Sequence, residues 1–120
     1  MAFRIIVRDK DESVRWYTEL LGFEIKEQWG PAFAILSKGN DELWVSGPQT
    51  SAAKPMPDGR QPEPGGWNRL VVQVDDLDST IESLKEHGAT FRNEPISGPG
   101  GRQVLVDDPS GNPVEVFESR

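Results

Sequence analysis

Residues 108–118 have the sequence DPSGNPVEVFE, which combines a tight turn with a strand. The turn is predicted by its Pro, Ser, Gly and Asn residues, because these favour the backbone conformations of tight turns. The strand is predicted by alternation, since Val114 and Val116 would lie on one face and Glu115 and Phe117 on the other. This stretch therefore predicts a turn and a final strand with one apolar face.

The segments before and after this turn form a βαβββ pattern, and the pattern occurs twice in the chain. In the second half, strands are predicted at 69–74, 89–92, 102–106 and 113–117, with a helix from about 75–79 to 87–88. In the first half, strands are predicted at 3–7, 23–29, 32–37 and 42–46, with a helix that ends at Gly22. Val7-Arg8-Asp9 aligns with Val74-Asp75-Asp76 at an offset of 67, which indicates an internal repeat.

These elements predict an α+β fold with two tandem βαβββ modules, which form a curved mixed sheet around a cleft and carry the helices on the outside. A single domain spans residues 1–120, with the first module at 1–46 and the second at 67–120. Residues 47–66 contain five prolines and no periodicity, so we expect a linker, a lid over the cleft or an arm to a partner. Pairing of the modules within one chain or between two chains stays open.

Charge and composition exclude several classes of protein. The 13 basic and 20 acidic residues give a formal charge of −7, which argues against binding to a nucleic acid. No run approaches the roughly 18 apolar residues of a membrane span, and the N-terminus lacks the features of a signal peptide, so we expect a cytoplasmic protein. The absence of cysteine and the single histidine exclude disulfides, thiolate metal sites and sites with two histidines from one chain.

Strand alternation selects the candidates for a ligand-binding cleft. Alternate positions on a strand share one face of the sheet, and one of the two faces would be free of the helix. Arg102 follows the glycine-rich turn at 98–101, and its side chain is predicted either to point to the mouth of the cleft or to be solvated at the end of a strand. The candidates are Arg4, Ile6, Glu42, Trp44, Arg69, Val71, Gln73, Arg102, Glu115 and Phe117.

The repeat and its final motif resemble the vicinal oxygen chelate superfamily, which includes glyoxalases, extradiol dioxygenases and the fosfomycin and bleomycin resistance proteins. The motif at 108–118 carries most of the resemblance, and the segments that open the two modules support it. These segments are Val7-Arg8-Asp9, Trp16-Tyr17, Leu20-Leu21-Gly22-Phe23, Val72-Gln73-Val74-Asp75-Asp76-Leu77 and Gly88-Ala89. The resemblance implies the fold described above, a bacterial origin and a homodimer.

The resemblance also implies where a divalent metal would bind, namely at one inward residue on the first and last strand of each module, usually two His and one or two Glu. The matching positions are Ala2, Arg69, Glu42 and Glu115, so only the two carboxylates remain as weak metal candidates. Two carboxylates beside an arginine make a poor Zn²⁺ or Fe²⁺ site. We therefore expect no cofactor, and we predict an ion pair between Arg69 and Glu115, either as a filled-in metal site or as a polar anchor for a ligand.

Three functions remain open. The first is a metal-independent protein that binds a small cationic or aromatic molecule, as the bleomycin-resistance branch does. The second is a metal-dependent lyase, isomerase or dioxygenase of the same superfamily that uses Glu42 and Glu115. The third is an interaction module whose cleft is filled by its own side chains. We favour the first and assign no catalytic residue, because the single histidine, His87, is predicted at a helix end.

Overall fold

The computed structural model describes residues 1–120 and contains two compact units, Met1–Gly65 and Gly66–Arg120. Each unit has one mixed β-sheet and one α-helix on the outside of it, so the predicted α+β class is confirmed. Residues 47–65, which the sequence predicts as a linker or lid, belong to the first unit. Neither α-helix has the length and apolar character that crossing a membrane requires.

The first unit is a four-stranded sheet covered on one face by a helix. Its elements are β1 (Ala2–Ile6), α1 (Lys10–Leu21), β2 (Glu24–Trp29), β3 (Phe33–Lys38), β4 (Asp41–Ser46) and a short 3₁₀ helix (Ser51–Ala53). The strand order is β1-β4-β3-β2, in which β1 runs parallel to β4 and the other pairs are antiparallel. Helix α1 packs against β2, β3 and β4, and the core of this unit includes Ile5, Val7, Val14, Tyr17, Leu21, Phe23, Ala34, Leu36, Leu43 and Val45.

The second unit repeats this arrangement with one additional strand. Its elements are β5 (Leu70–Gln73), α2 (Leu77–Glu86), β6 (Thr90–Phe91), β7 (Ile96–Gly98), β8 (Gly101–Asp107) and β9 (Pro113–Ser119). The strand order is β5-β9-β8-β6, and β7 also pairs with β8. Strand β5 is parallel to β9, as β1 is to β4. The core of this unit includes Val72, Leu77, Ile81, Leu84, Val104, Val106, Val114 and Val116.

The internal repeat extends to the geometry of the helix N-termini. The two N-cap residues, Asp9 and Asp76, have φ/ψ of −136°/109° and −137°/99°. Each carboxylate accepts a hydrogen bond from the backbone N–H three residues later, of Glu12 at 3.0 Å and of Ser79 at 3.1 Å. Such a cap satisfies a free N–H of the first turn and contributes about 1 kcal/mol. The same local signal therefore begins both helices.

The tight turn predicted at 108–112 is present and is organised by one buried carboxylate. Asp108 Oδ1 accepts hydrogen bonds from the backbone N–H groups of Ser110 (2.8 Å) and Asn112 (2.9 Å). Its Oδ2 accepts a bond of 3.1 Å from the Asn112 side chain. Gly111 has a φ of 86°, a conformation that side chains other than glycine rarely adopt. These contacts fix the turn that leads into β9.

A β-bulge in β2 changes the predicted faces of that strand. Ile25 pairs with Leu36 and Glu27 pairs with Ile35, which leaves Lys26 as the extra residue between them. Neighbouring residues on β3 point to opposite faces, so Ile25 lies on one face of the sheet and Glu27 and Trp29 lie on the other. Strict alternation along 23–29, which would place Phe23, Ile25, Glu27 and Trp29 on one face, is therefore interrupted at this position.

Strand β7 is absent from the sequence-based prediction, which gives a single outer strand at 89–92. In the structure, the outer strand is divided into two short pieces, because Thr90 pairs with Asp107 at one end of β8 and Ile96 pairs with Gln103 further along. Between the two pieces, the side-chain oxygen of Asn93 accepts the hydrogen bond of the Leu105 N–H at 2.9 Å. Pro95 follows and has no N–H to continue the ladder.

Candidate functional site

The helix-free face of the first sheet brings together residues from all four strands. Arg4 on β1 pairs with Trp44 on β4, and Ile6 pairs with Ser46. On the other side of β4, Ser46 pairs with Phe33, which pairs in turn with Trp29. Directly paired residues point to the same face. We call Arg4, Trp29, Phe33, Trp44 and Ser46 the aromatic face.

Three rings form a continuous surface there. Trp29 and Phe33 stack with their centroids 5.3 Å apart and their planes 23° apart. Phe33 meets Trp44 edge to face, with centroids at 6.0 Å and planes at 84°. Trp29 keeps 51% of its surface exposed at the open end of the row. Both geometries are favourable for aromatic pairs, so the rings support one another as a platform.

Arg4 lies over this platform. Its guanidinium carbon is 5.0 Å from the centroid of Trp44 and 5.7 Å from that of Phe33, within the range of a cation–π interaction. Its Nη1 donates a hydrogen bond of 2.8 Å to Ser46 Oγ. The side chain of Arg4 is exposed, and no carboxylate forms an ion pair with it.

The candidate Glu42 lies on the same face, beside Ala2 in register. Its carboxylate accepts hydrogen bonds from Trp44 Nε1 at 2.9 Å and from Lys26 Nζ. The bond from Lys26, followed by that from Trp44, lowers the pKa of Glu42 below its ordinary value. The same bond raises the pKa of Lys26. Both groups therefore stay charged at neutral pH and engage each other.

The second unit contains the predicted ion pair. Arg69 donates from Nε (3.1 Å) and Nη2 (3.0 Å) to Glu115, and both bonds end on the same oxygen, Oε1. Glu115 is buried, and the Arg69 side chain retains 29% of its exposure. Three more candidates share this helix-free face, since Val71 pairs with Glu115 and Gln73 pairs with Phe117. The second sheet thus holds a closed charge pair, whereas Arg4 on the first sheet has no carboxylate partner.

A second arginine cluster in this unit is missed by the sequence-based prediction. Arg92 donates from Nε to Asp107 at 2.6 Å and from Nη1 and Nη2 to the carbonyl oxygens of Gly66 and Gly111. Its guanidinium lies 4.6 Å from the ring centroid of Trp67, which is 69% exposed. The sequence contains one signal for this cluster. Leu105 pairs with Glu115, and alternation along β8 places Asp107 on the same face as Leu105.

The structure corrects the placement of Arg102. This residue pairs with Glu118 on β9, and its Nη2 bonds to Asp78 Oδ1 on helix α2 at 3.1 Å. It therefore lies on the helix-covered face, opposite to Glu115, and not at the mouth of a cleft. The bond to Asp78 raises the pKa of Arg102. His87 follows α2 as predicted, and its Nδ1 is 2.9 Å from the Ser83 carbonyl oxygen.

No three His, Cys, Asp or Glu side chains of the chain lie together in a group that could hold a metal ion. The two carboxylates that the resemblance suggested, Glu42 and Glu115, belong to separate units. Each already accepts hydrogen bonds from a cation, Lys26 in one case and Arg69 in the other.

The profile of the glyoxalase/bleomycin resistance protein/dioxygenase superfamily matches residues 2–116. The chain belongs to this superfamily. Among curated members, YurT of Bacillus subtilis is 28% identical over 95% of this chain and 94% of its own length. A probable chloroplastic lactoylglutathione lyase of Arabidopsis thaliana is 25% identical over 93% of this chain, which spans only 33% of that protein.

Solved structures of the superfamily share the fold. A member from Sphaerobacter thermophilus is 28% identical, with a TM-score of 0.75 over 98% of this chain and 94% of that one. TnmS3, an antibiotic binding protein from Streptomyces sp. CB03234, is 24% identical, with a TM-score of 0.73 over 99% and 93% of the two chains. Superfamily members thus include proteins described as lyases and as binding proteins, so membership alone leaves the function open.

Proposed function

We propose that this superfamily member binds a small aromatic molecule without a metal, and that the aromatic face is its binding surface. The observation that carries the proposal is the platform of Trp29, Phe33 and Trp44 on a sheet face that the helix does not cover. Each stacked aromatic pair is worth about 1 kcal/mol beyond the area it buries. A planar ligand would extend the row of rings at Trp29, where half of the indole surface is free.

The donor sets at the metal positions support a metal-independent function. Ala2 has no ligand atom, and Arg69 is a cation that would repel a metal ion. Glu42 is engaged by Lys26 and Glu115 by Arg69, so a divalent ion at either carboxylate would have to displace a cation. The residues present do not fit a divalent metal, which needs several free oxygen or imidazole ligands.

The experiment is a thermal-shift and tryptophan-fluorescence titration with 2-naphthamide, a neutral planar probe. Because a ligand of the native state raises its stability, we expect a higher unfolding midpoint and quenched fluorescence. Trp29→Ala should abolish both effects by removing the exposed end of the platform. The matched control is Trp67→Ala, which removes an exposed indole from the second unit and should leave both effects in place.

A parallel titration with Mn²⁺ and Zn²⁺ tests the alternative, a metal-dependent lyase, isomerase or dioxygenase. We expect no metal-dependent stabilisation. A stabilisation that is lost in Glu42→Gln or Glu115→Gln would support the enzyme and contradict the proposal. A homodimer, a cytoplasmic location, and a role of residues 47–66 as a lid or an arm also stay predictions.

A further inference from the structure

Arg4 differs from the other arginines that lie on the two sheets. Arg69, Arg92 and Arg102 each form an ion pair, with Glu115, Asp107 and Asp78 respectively. Arg4 has only a neutral hydroxyl and two aromatic rings as its partners. The chain has 20 acidic and 13 basic residues, so the absence of a carboxylate beside Arg4 does not reflect a shortage of carboxylates.

The acidic groups on the same face are directed elsewhere. Glu42 is held by Lys26 and by the indole N–H of Trp44. Glu27, next along the bulged strand, also acts electrostatically on Lys26. Neither forms an ion pair with Arg4, whose guanidinium has five N–H donors and uses one of them on Ser46. The remaining donors are available to a ligand.

We infer that the aromatic face binds a planar aromatic anion, with the ring system stacked at Trp29 and the anionic group bonded to Arg4. This inference rests on the proposed function and narrows it to one charge class of ligand. It also replaces the expectation of a cationic ligand, which rested on the resemblance to the bleomycin-resistance branch and on the net negative charge of the chain. The guanidinium is held beside two rings and bonded through Nη1 to Ser46, which leaves N–H donors for two parallel hydrogen bonds to a carboxylate.

The sheet register supports the required span. Arg4 and Trp29 lie on the two outer strands, β1 and β2, three strand spacings of about 4.8 Å apart, and the register places Trp29 two residues along β2 from the row of Arg4, which ends at Glu27. The guanidinium shortens this separation because it reaches across Trp44 to within 5.7 Å of the Phe33 centroid. Phe33 in turn stacks on Trp29. A fused two-ring acid that lies across Phe33 and the exposed part of Trp29 would direct its acidic group toward the arginine.

The test compares three probes of one shape: 2-naphthoate, the neutral 2-naphthamide and the cationic 2-naphthylmethylammonium. Each is titrated by calorimetry against the wild type, Arg4→Gln and Arg15→Gln. Arg15 is an exposed arginine of helix α1, so its variant removes the same charge away from the face. Unfolding midpoints of the unliganded variants verify that both are folded.

We expect the wild type to bind 2-naphthoate about tenfold more tightly than the amide, as a charge-assisted hydrogen-bond pair implies. In Arg4→Gln the acid should lose its advantage over the amide, whereas Arg15→Gln should keep the same ratio of the two affinities as the wild type. Added salt should weaken binding of the acid only, because salt screens the pairing of exposed charges.

Equal binding of acid and amide, or tighter binding of the ammonium probe, would overturn the inference while leaving the proposed function in place. An acid preference that survives in Arg4→Gln would overturn it as well, by assigning the anion to another group. If none of the three probes binds, the proposed function fails together with the inference.

Discussion

On the first sheet, Arg4 lies over Trp44 and Phe33 with no carboxylate beside it, whereas on the second sheet Arg69 and Arg92 are each held by an acidic side chain. In both sheets the first strand of the module pairs with its last strand, which pairs in turn with the strand before it. Both helices begin at an aspartate N-cap. The repeat therefore preserves the features that set the backbone. The alternate positions on the helix-free faces carry different chemistry.

This difference separates two kinds of constraint. Caps and apolar alternation act on local geometry and on burial, so each module needs them for its own stability. The exposed alternate positions are free of that requirement. In the first module they carry Arg4 and aromatic rings, whereas in the second module Arg69 and Arg92 are neutralised by ion pairs. The contrast predicts three measurable differences in stability between the two modules.

The largest effect is expected in the hairpins. An alanine Cβ at Gly101 would overlap the backbone carbonyl of Glu118, whereas one at Gly39, in the β3–β4 hairpin, would meet no atom within 4 Å. We expect Gly101→Ala to lower the free energy of unfolding by about 3 kcal/mol, since backbone must move. Gly39→Ala, at a φ of 61°, should cost about 1 kcal/mol.

Urea denaturation of both variants measures these losses. Gly100→Ala is a control within the same turn as Gly101, because its Cβ would make an ordinary contact of 3.8 Å with Phe117. Equal losses at positions 101 and 39 would show that the two hairpins tolerate substitution alike and would contradict the structural difference.

The second effect concerns the closed ion pair. Arg69→Met should cost about 2 kcal/mol because it leaves the buried Glu115 carboxylate without its partner. The double variant Arg69→Met/Glu115→Leu should recover most of this loss, since a hydrophobic pair requires no charge compensation. On the first sheet, Arg4→Met should cost less than about 1 kcal/mol, because it removes only cation–π contacts at an exposed site.

Thermal and urea unfolding of the three variants test this order. A loss for Arg4→Met as large as that for Arg69→Met would mean that the open cation stabilises the first unit. The two arginines would then contribute equally to the free energy of unfolding, and the predicted energetic difference between Arg4 and Arg69 would be wrong.

The smallest effect is the pH dependence of the pair between Lys26 and Glu42. The lowered pKa of Glu42 means that the pair stabilises the fold fully above pH 4.5, the ordinary value for the group, and that this contribution disappears as pH falls through the lowered value. The free energy of unfolding of Lys26→Met should therefore differ from that of the wild type at pH 7 and converge with it at acid pH. Urea titrations at both pH values measure the difference.

Lys54→Met is the matched control, since it removes an equal charge at an exposed position of the same unit. The difference in the free energy of unfolding between Lys54→Met and the wild type should be the same at pH 7 and at acid pH. A Lys26→Met difference that persists unchanged at acid pH would indicate that packing, and not charge, accounts for it.

The sequence predicts much of this fold because its main signals are local. Asp9 and Asp76 cap their helices as their spacing indicates, and the alternation of β5 and β9 places residues on the correct faces. The exceptions depend on pairing with distant segments. Strand β7 exists through its bonds to β8, and the orientation of Arg102 is revealed by Asp78, 24 residues earlier.

The aromatic face is only partly predictable from the sequence. Alternation selects Arg4 and Trp44, but Phe33 enters through the register of β3 with β4. That register follows from the two-residue loop between Lys38 and Asp41, which places Ile35 opposite Trp44 and Phe33 opposite Ser46. Contacts between side chains, such as that of the Arg4 guanidinium with the rings, depend on rotamers that no pattern specifies.

The bulge at Lys26 makes the aromatic face sensitive to insertion and deletion. Upstream of it, Phe23 is buried against Tyr17 under the helix; downstream, Trp29 joins Phe33 on the other side of the sheet. The one extra residue lets a single strand serve the core and the platform in turn. Loss of that residue would force one of the two aromatic side chains to change sides, so a deletion of one position here would remove a ring either from the core or from the platform.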